Sequence, residues 1–129
     1  MTRDEKVAYW VTSAAHDWTV AGHLFEKQDF SYALFFGHLA LEKLLKAVFV
    51  SHHDDAPPFT HRLPFLAEKA DLPLSADQLE LLEAVTDFNL EARYPDEKFT
   101  FREKCTKDFT SGYLAQIKEM MAWLRQRLP

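Results

Sequence analysis

Arg93, followed by Tyr94 and Pro95, stands where a helical run is forced to stop, so its guanidinium projects from a helix C-terminus into a loop. A planar, permanently charged fork suits phosphate or carboxylate recognition, whereas pairing with Glu42 or Asp96 would only pin the turn. Glu42, Lys43 and Lys46 lie one, three and four residues apart. Glu42 and Lys46, acid before base at i,i+4, either support each other on a surface or share a groove. In a groove, Lys43 and Lys46 face phosphate and Glu42 orients Arg93. His61 follows Thr60 and either bonds loop backbone or lines the Arg93 cleft. The run His52-His53-Asp54-Asp55 is metal-ligand chemistry in type, but adjacent loop residues seldom all reach one ion. His16 and His23, seven apart, read as surface or interface residues, and His38 as interfacial. Cys105, flanked by Lys104 and Lys107 at a helix start, has the setting of a thiol with a lowered pKa.

The elements that carry these residues are helical. Val7, Trp10, Val11, Ala14, Trp18, Ala21 and Phe25 recur at three- and four-residue steps, which predicts a helix over about 4–27. A second helix is expected from Phe30 or Ser31, with Ser31 as N-cap, to about Ser51. Its apolar surface (Ala33, Phe36, Ala40, Leu44 and Ala47, widened by Leu34, Leu41 and Leu45) is too broad for one contact, so this is the central helix. A short third helix capped by Thr60 should end near Ala70. A fourth should open at Ser75, with Gln78 completing a capping box, and carry Leu79, Leu82, Val85 and Leu90 inward until Pro95 stops it near Tyr94. Phe99 and Phe101 are expected in a loop as aromatic anchors. The last helix should span about 104–127. No period-2 run of β-branched residues and no hairpin signal occurs. The expected fold is all-α: an antiparallel up-and-down helical bundle of four long helices plus one short helix, in one domain over 1–129.

Composition narrows the function classes. The 129 residues carry 15 Lys+Arg against 20 Asp+Glu, a net charge of −5, with 47% hydrophobic residues, 11 Phe and 3 Trp. That is too apolar for a disordered chain. No apolar run is long enough for a bilayer span, and the charged start leads into no signal-like stretch, so a cytoplasmic protein with no membrane partner is expected. One cysteine excludes an internal disulfide framework. Residues 1–97 hold 8 basic and 17 acidic side chains, and residues 98–129 hold 7 and 3. The basic end either docks on acidic neighbours or offers a cationic face. The overall acidity argues against sequence-blind duplex binding, which needs many neutralised phosphates.

Three segments in order, F-F-G-H-L-A-L-E-K-L-L-K-A over 35–47, T-H-R-L over 60–63 and E-A-R-Y-P-D over 91–96, resemble the HEPN family. The resemblance covers nearly the whole chain. It implies a helical bundle that forms a homodimer through its long helices. Small prokaryotic members are typically partnered by a separate minimal nucleotidyltransferase, in a toxin–antitoxin or related two-component module. The nucleotide- or phosphate-binding residues implied here are Arg93, Lys43, Lys46, Glu42, Tyr94, Asp96 and His61. Some such partners are nucleotidylated on a tyrosine beside their arginine motif. Tyr94 adjoins Arg93 in the same way, although the surrounding pattern differs from that subfamily. The alternative is a ring that packs and bonds through its hydroxyl. Many members are ribonucleases with Arg, four to six residues, then His. No arginine of this chain has a histidine at that distance, so those catalytic residues do not carry over. The expectation is a non-catalytic subunit with no cofactor beyond a nucleotide ligand. The alternatives are an RNA-cleaving toxin using an atypical set such as Arg93, Tyr94 and His61, or a stand-alone nucleotide-binding regulator.

Overall fold

A computed structural model describes all 129 residues. It contains six helices and no strand: α1 Arg3–Glu26, α2 Phe30–His53, α3 Leu63–Lys69, α4 Ala76–Arg93, α5 Thr100–Lys104 and α6 Lys107–Arg125. The all-α bundle expected from the sequence is thus present, with one additional short helix.

Each long helix has a local reason to begin where it does. Thr2 caps α1 in a reciprocal box with Glu5. Ser75 does the same for α4 with Gln78, as its spacing predicts. Thr106 Oγ1 accepts from Phe109 N and opens α6 at Lys107, three residues later than the expected start at 104. The second helix departs from expectation: Asp29, not Ser31, is its N-cap, and it makes no side-chain capping bond. Likewise Arg62 precedes α3, and Thr60 instead holds the Arg62 amide through its hydroxyl. Gln28 adopts positive φ between α1 and α2 and lets the chain reverse there.

Helix α2 touches every other helix of the bundle. Ala33, Leu34, Ala40, Leu41, Leu44, Leu45, Ala47, Val48 and Val50 are all at zero exposure, which is why its apolar surface has no single face. Gly37 allows α6 to come close, since a Cβ there would stand 2.9 Å from Ile117 Cδ1. On α4 the buried residues are Leu81, Leu82, Val85, Phe88 and Asn89, while Leu79 and Leu90 are exposed. The inward face is therefore rotated from the one expected.

The segment after Pro95, expected as a loop, holds α5. Asp96 accepts from both the amide and the hydroxyl of Thr100, at 2.8 and 2.6 Å. Those bonds hold its carboxyl below the usual range, with the Thr100 hydroxyl the larger cause. Phe101 stacks on Phe88 at 5.3 Å, and Phe88 meets Tyr113 at 4.8 Å. This aromatic clasp ties the chain beyond Arg93 to α4 and α6. It also buries Cys105, so the flanking lysines do not decide its acidity. Desolvation pushes the thiol up to about 11, against the sequence-based expectation of a lowered value. Native protein at pH 8 should consequently react with a thiol reagent at least about ten-fold more slowly than the same chain in denaturant, as a timed labelling experiment would read.

Candidate functional site

Along α2, His38, Glu42 and Lys46 are spaced i, i+4, i+8 and form one column. All three are buried, an unusual place for two formal charges on a chain of this size. The physical condition for such burial is full pairing, and Glu42 has it. Its Oε2 accepts from Lys46 Nζ at 3.0 Å, and its Oε1 accepts from His61 Nδ1 at 2.7 Å. Lys46 also lies over the Trp10 ring of α1, 5.3 Å from its centroid, where the quadrupole favours a cation.

His38 fixes the other end of the column. Its Nε2–H donates to the His61 carbonyl at 2.9 Å, so α2 grips the α2–α3 loop through both the backbone and the ring of His61. That assignment leaves His38 Nδ1 as a lone pair, buried without a partner. Burial first, then the charges of His61 and Arg93, press the His38 pKa below its ordinary 6.5, while the His61 carbonyl and Glu42 act in the opposite sense. Between the depressed folded value and 6.5 the unfolded chain binds a proton that the folded chain refuses, so stability falls as pH drops through that window. The slope from one proton is at most about 1.4 kcal/mol per pH unit. In His38→Gln, denaturant midpoints followed as the pH falls below about 6.5 should lose this component, giving a flatter profile than the parent's.

Arg93 ends α4 beside this column, near enough for its charge to bear on His38. Its Nε donates to Asn89 Oδ1 at 2.8 Å, one helical turn back, and its guanidinium sits over Phe35 at 5.2 Å. Both terminal amino groups remain without a protein partner. A fork fixed at its base and free at its tips is ready to receive an anion.

The structure brings together Glu42, Lys46 and His61, places Arg93 near the His38 end of the column, and separates the rest of the expected set. Glu42 does not orient Arg93, because Lys46 and His61 occupy both its oxygens. Lys43 points to α1 and meets Asp17 at 2.7 Å. The approach lies off the hydrogen-bond directions, leaving a close ion contact rather than an oriented bond. Asp96 is taken up by Thr100 at the start of α5, and Tyr94 stands 75% exposed on the surface. Two further participants lie outside the expected set. His38 shares a helical column with Glu42, a signal visible in the i,i+4 spacing, and Asn89 precedes Arg93 by the same step. The four residues 52–55 diverge: His52 reaches the Ala70 and Arg127 carbonyls, His53 pairs with Asp71, Asp54 with Arg3, and Asp55 bonds the Ala56 amide. No trio of His, Cys, Asp or Glu side chains is placed to hold a metal, and no helix is long and apolar enough to cross a membrane.

The backbone is similar to the crystal structure of TT1696 from Thermus thermophilus, with a TM-score of 0.81 at 19% identity over 99% of this chain and 100% of that one. At that identity the likeness speaks for the fold. No curated protein is a significant match. The HEPN domain family matches residues 7–127, which include α2, the His61 loop and the Arg93 turn, and the chain belongs to that family.

Proposed function

We propose that this HEPN protein is a non-catalytic, cytoplasmic subunit that homodimerises and acts with a separate minimal nucleotidyltransferase, in a toxin–antitoxin-like module. Its Arg93 site receives a nucleotide or phosphate group. The observation that carries the reading is the guanidinium itself, braced by Asn89 and Phe35 with both amino groups unpartnered. Around it, Leu90 is 53% exposed and Phe35 and Leu39 are half-buried. This apolar rim supports a second copy closing over the charged centre. The exposed Tyr94 hydroxyl adjoins the same turn, within reach of a transferase that modifies tyrosine. Lys43 and Asp96, each with a partner inside the fold, contribute at most to the rim. Light scattering at micromolar concentration should give twice the chain mass, and calorimetry should detect ATP binding. A monomer that releases no heat with ATP overturns the reading. Binding of ATP by a monomer would instead identify a stand-alone nucleotide-binding regulator.

A second reading is supported by the Glu42–His61 pair. A carboxylate that orients an imidazole is the arrangement of a general base, and RNA cleavage by this atypical set would use His61 beside Arg93. Incubation with total RNA between about pH 6 and 8 tests it: cleavage abolished by His61→Asn supports it, and intact RNA refutes it.

A further inference from the structure

His61 differs from the other exposed histidines in what its ring is bonded to. Its Nδ1–H is held by Glu42, a carboxylate whose side chain is only 5% exposed and whose second oxygen is locked by Lys46. His61 itself is 49% exposed, and its Nε2 has no partner in the chain. In the neutral ring, fixing the proton on Nδ1 puts the lone pair on Nε2, the outward nitrogen, and the carboxylate behind it stabilises the cation formed if that lone pair is used. The second half of the arrangement is Arg93, with two free amino groups beside the column. Both flank His38, His61 through its carbonyl and Arg93 through its charge. The principal cavities open elsewhere: by Asp96–Lys104, between α4 and α6, between the start of α2 and Arg102, and along α1. His61 lines none of them. A nucleophile outside the principal cavities is placed to be modified by a donor that comes to it, rather than to process a substrate enclosed around it.

We propose that His61 is a phosphoryl acceptor, with Glu42 its positioning residue and Arg93 its phosphate-binding partner. The donor class is a compound with a high-energy phosphorus bond, such as a phosphoanhydride or a phosphoramidate. The Nε2 lone pair forms the new N–P bond while the bond from phosphorus to its leaving oxygen or nitrogen breaks. The leaving group departs with that electron pair. The ring keeps its Nδ1 proton, and the Glu42 carboxylate offsets the resulting positive charge. Arg93 neutralises the phosphoryl oxygens. This inference shares with the proposed function the reading of Arg93 as an anion-binding fork, but it requires neither a dimer nor a nucleotidyltransferase, so labelling of His61 can fail or stand without them.

The test uses the whole protein and potassium phosphoramidate, which phosphorylates accessible imidazoles without an enzyme. The chain supplies its own controls: His16 and His23 are exposed on α1, and His53 pairs with Asp71, a carboxylate 76% exposed and hence well solvated. Time-resolved mass spectrometry under alkaline handling, which preserves phosphohistidine, should find His61 labelled at least about ten-fold faster than His16, His23 or His53. Glu42→Gln, checked for helicity by circular dichroism, should bring His61 to within about two-fold of the controls, and Arg93→Ala should also slow it. Uniform labelling across the histidines would overturn the proposal, as would a His61 rate unchanged in a folded Glu42→Gln protein. If Glu42→Gln does not fold, the rate ratio in the parent decides.

Discussion

Lys46→Ala is expected to lower the unfolding free energy by about 3–5 kcal/mol. The reason lies in burial rather than in the pair's own attraction. Lys46 and Glu42 side chains are 9% and 5% exposed, so deleting the ammonium leaves a carboxylate in the bundle with His61 as its remaining partner. It also strips a cation from the Trp10 face. For a domain of this length the midpoint of thermal unfolding should drop by roughly 10–20 °C. Substituting both residues, as Glu42→Gln with Lys46→Met, should recover a large part of the loss, because no uncompensated charge then remains. Calorimetric melts of the two variants check both statements. A single variant within about 1 kcal/mol of the parent, the range of exposed pairs, would mean that the pair is solvated.

Arg93→Ala is expected to act on binding and leave the fold nearly intact. The residue is exposed, its one oriented bond runs within α4 to Asn89, and the packing beneath it belongs to Phe35. Removing a charged donor pair from a phosphate costs about 1.5–3 kcal/mol, which weakens ATP binding by roughly 10- to 150-fold. Arg93→Lys should restore only part of it, since an ammonium keeps the charge but not the two-pronged geometry. Calorimetric titration of the three proteins, alongside their melts, separates this outcome from a merely structural arginine, whose loss would depress stability and spare affinity.

The contrast between these two residues shows which features sequence could disclose. Helical periodicity placed the long helices, and local chemistry marked their ends: the Ser75–Gln78 box and the stop imposed by Pro95 are both decided within a few residues of chain. Short-range chemistry was less decisive where tertiary contacts compete with it. Ser31 has the residue type of a cap, yet the turn through Gln28 starts the helix earlier. Phe101 was legible as an aromatic anchor, but its partner Phe88 and the short α5 turn that carries it were not, since that contact spans to another helix. Cys105 went the opposite way to its neighbours' charges because burial, with Glu91 in the same sense, outweighs Lys104.

Within the site, the Glu42–Lys46 bond was legible as an i,i+4 pair, and its burial followed from the breadth of the α2 apolar surface. The partner on the other oxygen was not legible. His61 lies 19 residues beyond Glu42, across a proline-bearing loop whose path is fixed only when His38 holds the His61 carbonyl. The sequence offered Arg93 as one partner for Glu42, where the fold supplies an imidazole beside Lys46.

The direct measurement is a side-chain NMR titration with ATP, following the Arg93 Nε–H and the histidine ring resonances together. The expected result is saturable, concerted movement of Arg93 and His61 at one affinity, with His16 and His23 unmoved. Movement centred instead on the basic segment from Lys98 to Lys107, with Arg93 and His61 still, would contradict the assignment of the α2–α4 cluster as the anion site.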